Sequence, residues 1–118
     1  MNIGIWLERA AQAWPERAAL FQGVAPVADY AGFDRAAREV AGALVAQGVA
    51  PGGRVAIFMG NAPEYFLAPY GIWYAGAAAV PINAKLHGAE AAWIVADAGA
   101  RVVLADAARR DALAEQGV

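Results

Sequence analysis

Residues 54–61 read Arg54-Val55-Ala56-Ile57-Phe58-Met59-Gly60-Asn61, and this stretch decides the fold. A short apolar run with no polar alternation suits a strand buried on both faces, as in parallel sheets. Just upstream, Ala50-Pro51-Gly52-Gly53 puts Pro and Gly at the two central positions of a type II turn that feeds the strand. Just downstream, Gly60 breaks it. Asn61 with Glu64 three residues on has the form of a capping box, and Pro63 is tolerated in a first turn, so a helix is expected from near Ala62.

Further along, Gly76 ends that helix, and Ala77 to Ile82 reads as an apolar strand stopped by Pro81-Ile82-Asn83. Glu90 to Ala98 has helical spacing with Trp93 and Ile94 facing inward, and Gly99 closes it. Arg101-Val102-Val103-Leu104-Ala105 is another short buried strand, with Asp106 as N-cap of a polar final helix. The order from Arg54 is β-α-β-α-β-α, which implies parallel strands joined by right-handed crossovers in a doubly wound sheet. Pro69 falls about two turns into the helix begun near Ala62. It removes a hydrogen bond and clashes with the Tyr65 carbonyl at a cost of roughly 3 kcal/mol, so a kink or an early break is expected there.

Before the decisive strand, Ile3, Leu7, Ala10 and Trp14 recur at helical spacing between a capping Asn2 and Pro15, marking a helix from about 3 to 14. Ala19-Leu20-Phe21, a turn over Gly23 to Pro26 and a strand around Val27 read as a small hairpin. Phe33, Ala37, Val40 and Leu44 form the apolar stripe of a long helix capped by Asp29 and closed by Gly48. The fold class is therefore α/β, an N-terminal helix and hairpin followed by a parallel-sheet unit.

The 118 residues are enough for one modest core, and no apolar run approaches the roughly 20 residues of a membrane span. Met1-Asn2-Ile3 opens no basic-then-apolar leader, so a cytoplasmic location is expected. The absence of cysteine excludes disulfides, Cys-ligated zinc and thiol nucleophiles. Net charge −2 with scattered arginines leaves no basic footprint for nucleic acid, and Arg109-Arg110 reads as a solvated helix face.

The sole histidine, His87, reads as a surface or helix-start residue in a strand-to-helix loop, and no serine exists to pair with it. No dinucleotide or Walker signature occurs. Gly60-Asn61 does lie at the carboxyl end of a strand, the usual crevice position in open α/β sheets, although capping alone accounts for it. The carboxylates are spread singly, so no metal site is expected. Tyr65, Phe66, Tyr70, Trp73 and Tyr74 crowd one helix; core packing is the simple account and a partner surface the alternative.

Four stretches, in order, carry a resemblance. They are Trp14-Pro15-Glu16-Arg17-Ala18-Ala19-Leu20; Gly48-Val49-Ala50-Pro51-Gly52-Gly53-Arg54-Val55-Ala56; Gly60-Asn61-Ala62-Pro63-Glu64-Tyr65; and Tyr74-Ala75-Gly76-Ala77-Ala78-Ala79-Val80-Pro81-Ile82-Asn83. Together they resemble the beginning of the acyl-CoA synthetases, the adenylate-forming or AMP-binding ligases. The resemblance implies that residues 1–118 are an incomplete N-terminal subdomain of the large AMP-binding domain, about the first fifth of a whole family member. It also implies ATP-dependent adenylation of a carboxylic acid, fatty or aryl, followed by attack of the coenzyme A thiol. The phosphate loop, the acidic residues for ribose and Mg²⁺ and the catalytic lysine would then lie beyond Val118, leaving this segment inactive by itself.

Lys85, in Asn83-Ala84-Lys85-Leu86, matches a basic residue that in some of these ligases approaches the nucleotide phosphates of coenzyme A. The plain alternative is an exposed loop lysine. Two departures from the family pattern stand out: Pro69, and Asp29-Tyr30-Ala31-Gly32-Phe33, where Gly32 replaces the glutamate that would reciprocate the cap. That helix start is softer by about 1 kcal/mol. A different class of function is a stand-alone, non-catalytic α/β module that binds a partner through the aromatic helix. The isolated segment is expected to expose apolar surface and self-associate; light scattering that finds a clean monomer at high concentration would count against this.

Overall fold

The computed structural model describes residues 2–118. Helix α1 spans Ile5–Ala13. It begins two residues later than the apolar spacing suggests, because the Asn2 side chain builds a turn ahead of it, its Oδ1 accepting from the Gly4 amide at 2.8 Å. Strands β1 (Ala18–Gln22) and β2 (Ala25–Asp29) pair antiparallel. Their connection is tighter than the expected four-residue turn: Gly23, at φ 62°, and Val24 suffice, and Pro26 lies within β2. Helix α2 (Tyr30–Ala46) follows at once, capped by Asp29, which accepts from the Gly32 amide at 2.7 Å.

The Pro51-Gly52 turn closes with Gly53 N–H donating to the Ala50 carbonyl at 2.9 Å, with Gly52 at φ 80° as a type II turn requires. It leads into β3 (Arg54–Phe58). Next come a single 3₁₀ turn at Pro63–Phe66, α3 (Leu67–Tyr74), β4 (Ala78–Pro81), α4 (Gly88–Ala98), β5 (Val102–Ala105) and α5 (Ala107–Ala114). The parallel sheet has the order β4-β3-β5, with Val55 opposite both Ala79 and Val102. Val55 and Ile57 face α2 and α3, packing with Leu44, Ala68 and Ile72. Ala56 and Phe58 face the other way, packing with Ala91, Val95 and Leu113 of α4 and α5. A third cluster, Leu7, Leu20, Phe33 and Ala37, joins α1 and the hairpin to α2.

Three details differ from the sequence reading. No Asn61–Glu64 capping box forms: the 3₁₀ turn starts after an extended Ala62, without a side-chain cap. Pro69 accounts for the two-part helix. With 3₁₀ geometry up to Phe66 and α geometry from Leu67, Pro69 becomes the third residue of α3, where its missing N–H would have had no partner within the helix anyway. Trp93 points outward at 66% exposure, because α4 turns Ala91 and Val95 to the sheet and position 93 lies about 200° round from Ala91. The aromatics of α3 divide: Tyr70 and Tyr74 pack, partly buried, against the cluster of Leu7, Leu20, Phe33 and Ala37, with Tyr70 edge-on to Phe33 at 5.2 Å. Ala68, Gly71 and Ile72 are buried, Tyr70 and Trp73 stack edge-on at its flank, and Phe66, in the preceding turn, is 53% exposed.

A polar tie holds the three helices of that layer. Tyr74 donates to Asp34 at 2.6 Å, Asp34 pairs with Arg38 at 3.0 Å, and Arg38 lies 3.9 Å from Glu8 of α1 and over the Tyr74 ring. Burial first, then the bond to Asp34, push the Tyr74 hydroxyl well above the ordinary phenol range, so it stays a donor.

α2 and α3 approach each other closely at Gly71. A Cβ there would overlap the Val40 side chain and sit 3.2 Å from the Ala37 carbonyl oxygen. Gly71→Ala in the protein that carries this segment is expected to destabilise it by about 1–3 kcal/mol through overpacking, despite better helix propensity. The urea midpoint measures it; an unchanged midpoint would mean that the two helices separate freely.

Candidate functional site

The strand order creates the site. The chain leaves β3 through α3 on one face to reach β4, then crosses through α4 on the other face to β5, so the connections after β3 and β4 diverge at the carboxyl end of the sheet. In open α/β sheets that divergence opens a crevice. Here it is a cleft of about 420 Å³, lined by Gly60, Asn61 and Tyr65 after β3, by Asn83, Ala84 and Lys85 after β4, and by Arg109 of α5.

One carboxylate organises its wall. Asp106, the residue that follows β5 and caps α5, accepts from the Arg109 amide through Oδ1 at 3.1 Å and from the Gly60 amide through Oδ2 at 2.8 Å. Oδ2 also takes the Arg109 guanidinium at 2.6 Å. Arg109 in turn donates through Nε to the Ala84 carbonyl at 2.9 Å and lies over the Phe58 ring. The Gly60 amide foremost, then the amide and guanidinium of Arg109, hold the Asp106 carboxyl below its ordinary value of 3.8, against the opposing pull of desolvation.

Gly60-Asn61 and Lys85, singled out separately in the sequence, thus come together in one cleft. Lys85 is exposed; its amide donates to Asn83 Oδ1 at 2.9 Å, and its ammonium has no ion pair among the described residues. His87 does begin α4, its amide donating to Glu90 at 3.2 Å. Arg109-Arg110 is the correction: Arg110 is solvated, with 75% of its side chain exposed, but Arg109 is folded into the cleft wall at 29%. The sequence signal for Arg109 was its place three residues after the capping Asp106, on the same helix face; the strand end it would meet was not visible.

Among the described residues no group of three His, Asp or Glu could hold a metal ion, and no helix is long and apolar enough to cross a membrane. A second groove, of about 560 Å³ and mostly apolar, lies between α1, the hairpin, α2 and the start of α3, with Trp6, Phe21 and Phe66 at its edges.

The model of the AMP-binding enzyme family matches residues 7–117. The long-chain-fatty-acid–CoA ligase FadD13 of Mycobacterium tuberculosis is 38% identical over 104 residues, 87% of this chain and 21% of the ligase. The solved fatty acyl CoA synthetase of Mycobacterium tuberculosis superposes on 97% of this chain and 23% of its own, with a TM-score of 0.87 and 35% identity. A benzoate CoA ligase from Burkholderia xenovorans does so over the same shares, with a TM-score of 0.87 and 25% identity. The chain spans about a fifth of the length of the curated relative it matches.

Because the folded carboxyl of Asp106 titrates below 3.8, its contribution to stability is present above that pH and lost as pH falls through the lower, folded value. Asp106→Asn keeps a good cap and removes the charge. It is expected to cost about 1–3 kcal/mol at neutral pH: the ion pair, about one-third exposed and screened, contributes little, but the single Asn oxygen cannot keep the cap and also accept from the Gly60 amide. Denaturation curves should show the gap to wild type closing below pH 3.8; a constant gap would argue against the charge.

Proposed function

The chain belongs to the AMP-binding enzyme family, and from that membership we propose that residues 1–118 are the opening, incomplete part of the large domain of an ATP-dependent acyl-CoA ligase. The observation that carries this reading is the 38% identity to FadD13 over 104 residues, together with the family match over residues 7–117, which takes in the cleft between β3, β4 and α5. In the proposed reaction a carboxylate oxygen of the substrate attacks the α-phosphorus of ATP and pyrophosphate leaves. The coenzyme A sulfur then attacks the acyl carbon of the adenylate, AMP leaves, and the thiol proton passes to solvent. Relatives named for long-chain fatty acids and for benzoate support a fatty or aryl acid as substrate.

This segment supplies scaffold to that chemistry. Mg²⁺ would accompany the nucleotide, but the described residues of this segment form no ligand set for it. Lys85 is the one position proposed to touch a ligand: an exposed ammonium at the mouth of the cleft, free of a protein carboxylate, suits a phosphate of coenzyme A. A cytoplasmic location fits ATP and coenzyme A as substrates. Self-association of the isolated segment is supported by Trp6, Phe21 and Phe66, which are each at least half exposed around an apolar groove. No observation favours a stand-alone interaction module.

Two measurements test the proposal. The coding sequence after Val118 should continue into a Ser/Thr/Gly-rich phosphate loop with a lysine, and the full-length product should show carboxylate-dependent ATP–pyrophosphate exchange; failure of either ends the ligase reading. Lys85→Ala in that enzyme should raise KM for coenzyme A more than it lowers pyrophosphate exchange, and an unchanged KM would remove Lys85 from the site.

A further inference from the structure

The wall of the cleft does more than border it. Arg109 and Arg110 leave the same helix, yet Arg110 extends into solvent while Arg109 folds back across the Phe58 ring at 5.8 Å. Its guanidinium divides its donors, Nη1 to Asp106 Oδ2 and Nε to the Ala84 carbonyl. Asp106 Oδ2 also binds the Gly60 amide, and Gly60 lacks the side chain that would crowd this junction: a Cβ there would stand 3.2 Å from Arg109 Nη1 and 3.5 Å from Asp106 Oδ2. One ion pair therefore links the exits of all three parallel strands: β3 at Gly60, β4 at Ala84 and β5 at Asp106. The Asn83 side chain accepts from the Lys85 amide, so the one peptide group that joins Ala84 to Lys85 is held through both its carbonyl and its N–H, and the Leu86 amide closes the turn on the Asn83 carbonyl at 3.1 Å.

We propose that the Asp106–Arg109 pair is a positioning device for the Asn83–Leu86 turn, fixing the base of Lys85 against the end of β3. Arg109 is a positioning residue and acts on ligand only through Lys85; that consequence rests on the proposed contact of Lys85 with a phosphate, whereas the positioning itself rests on the geometry alone. A lysine head on a four-carbon stem searches a wide volume, and anchoring its base confines that search to the mouth of the cleft.

The test uses the full-length enzyme. Arg109→Met keeps the apolar stem over Phe58 and removes the fork. Hydrogen exchange at the Ala84–Leu86 amides should quicken, and KM for coenzyme A should rise about three- to tenfold, the scale of one ordinary net hydrogen bond because the effect is indirect, with a smaller effect on pyrophosphate exchange. In a Lys85→Ala background the same substitution should add no further rise. Unchanged exchange in the turn overturns the proposal, and so does a fully additive effect on KM, which would mean that Arg109 meets the ligand itself. Quickened exchange with no KM effect from either single variant would uphold the positioning and discard the Lys85 contact. If Arg109→Met does not fold, Asp106→Asn, which retains the helix cap and releases Arg109, decides the question by the same exchange measurement.

Discussion

Burial of β3 on both faces is the constraint from which the remaining architecture follows. Val55, Ala56, Ile57 and Phe58 are each at most 1% exposed, and burial of the three larger side chains contributes about 1.5–3 kcal/mol apiece. A strand with apolar side chains on alternating faces needs a layer on each face, and a central strand needs a neighbour on each edge. α2 and α3 cover one face, α4 and α5 the other, and β4 and β5 pair the edges. A chain that must supply both layers in sequence changes faces between β3 and β5, and that change opens the cleft.

The layers close tightly because small residues stand where helices meet. Gly71 admits Val40 between α3 and α2, and on the other face a Cβ at Gly88 would stand 2.6 Å from the Ala112 carbonyl oxygen of α5. Polar ties then set the orientation of what packing has brought together. Tyr74, Asp34, Arg38 and Glu8 align α1, α2 and α3, and Asp106 with Arg109 joins the strand exits. Each tie combines a local pair, Asp34 with Arg38 and Asp106 with Arg109, with a contact between elements far apart in the chain.

Much of this was legible locally. The Pro51-Gly52 turn, the Asp29 and Asp106 caps and the left-handed glycines at 48, 76 and 99 all appear where turn and cap chemistry put them. The Asn61 cap was misread because Pro69, eight residues on, forces a 3₁₀ turn that moves the helix start to Leu67. Trp93 was misread because a large apolar side chain was assumed to face inward, whereas the sheet face had room for Ala91 and Val95. Gly60 and Lys85 were candidates for separate reasons; their meeting in one cleft depends on strand order, which no local signal carries.

By itself, then, the sequence determined the elements, their parallel α/β arrangement and, through four ordered motifs of turn and cap chemistry, the family. These are short-range matters of backbone preference and apolar spacing, and neighbouring residues settle them. Only the tertiary structure decided which of two adjacent arginines is solvated and which binds Ala84, and that Asp106 serves Gly60 as well as its own helix. Those contacts join residues 25 and 46 positions apart, and their energies exist only once burial of β3 has brought the strand ends into register.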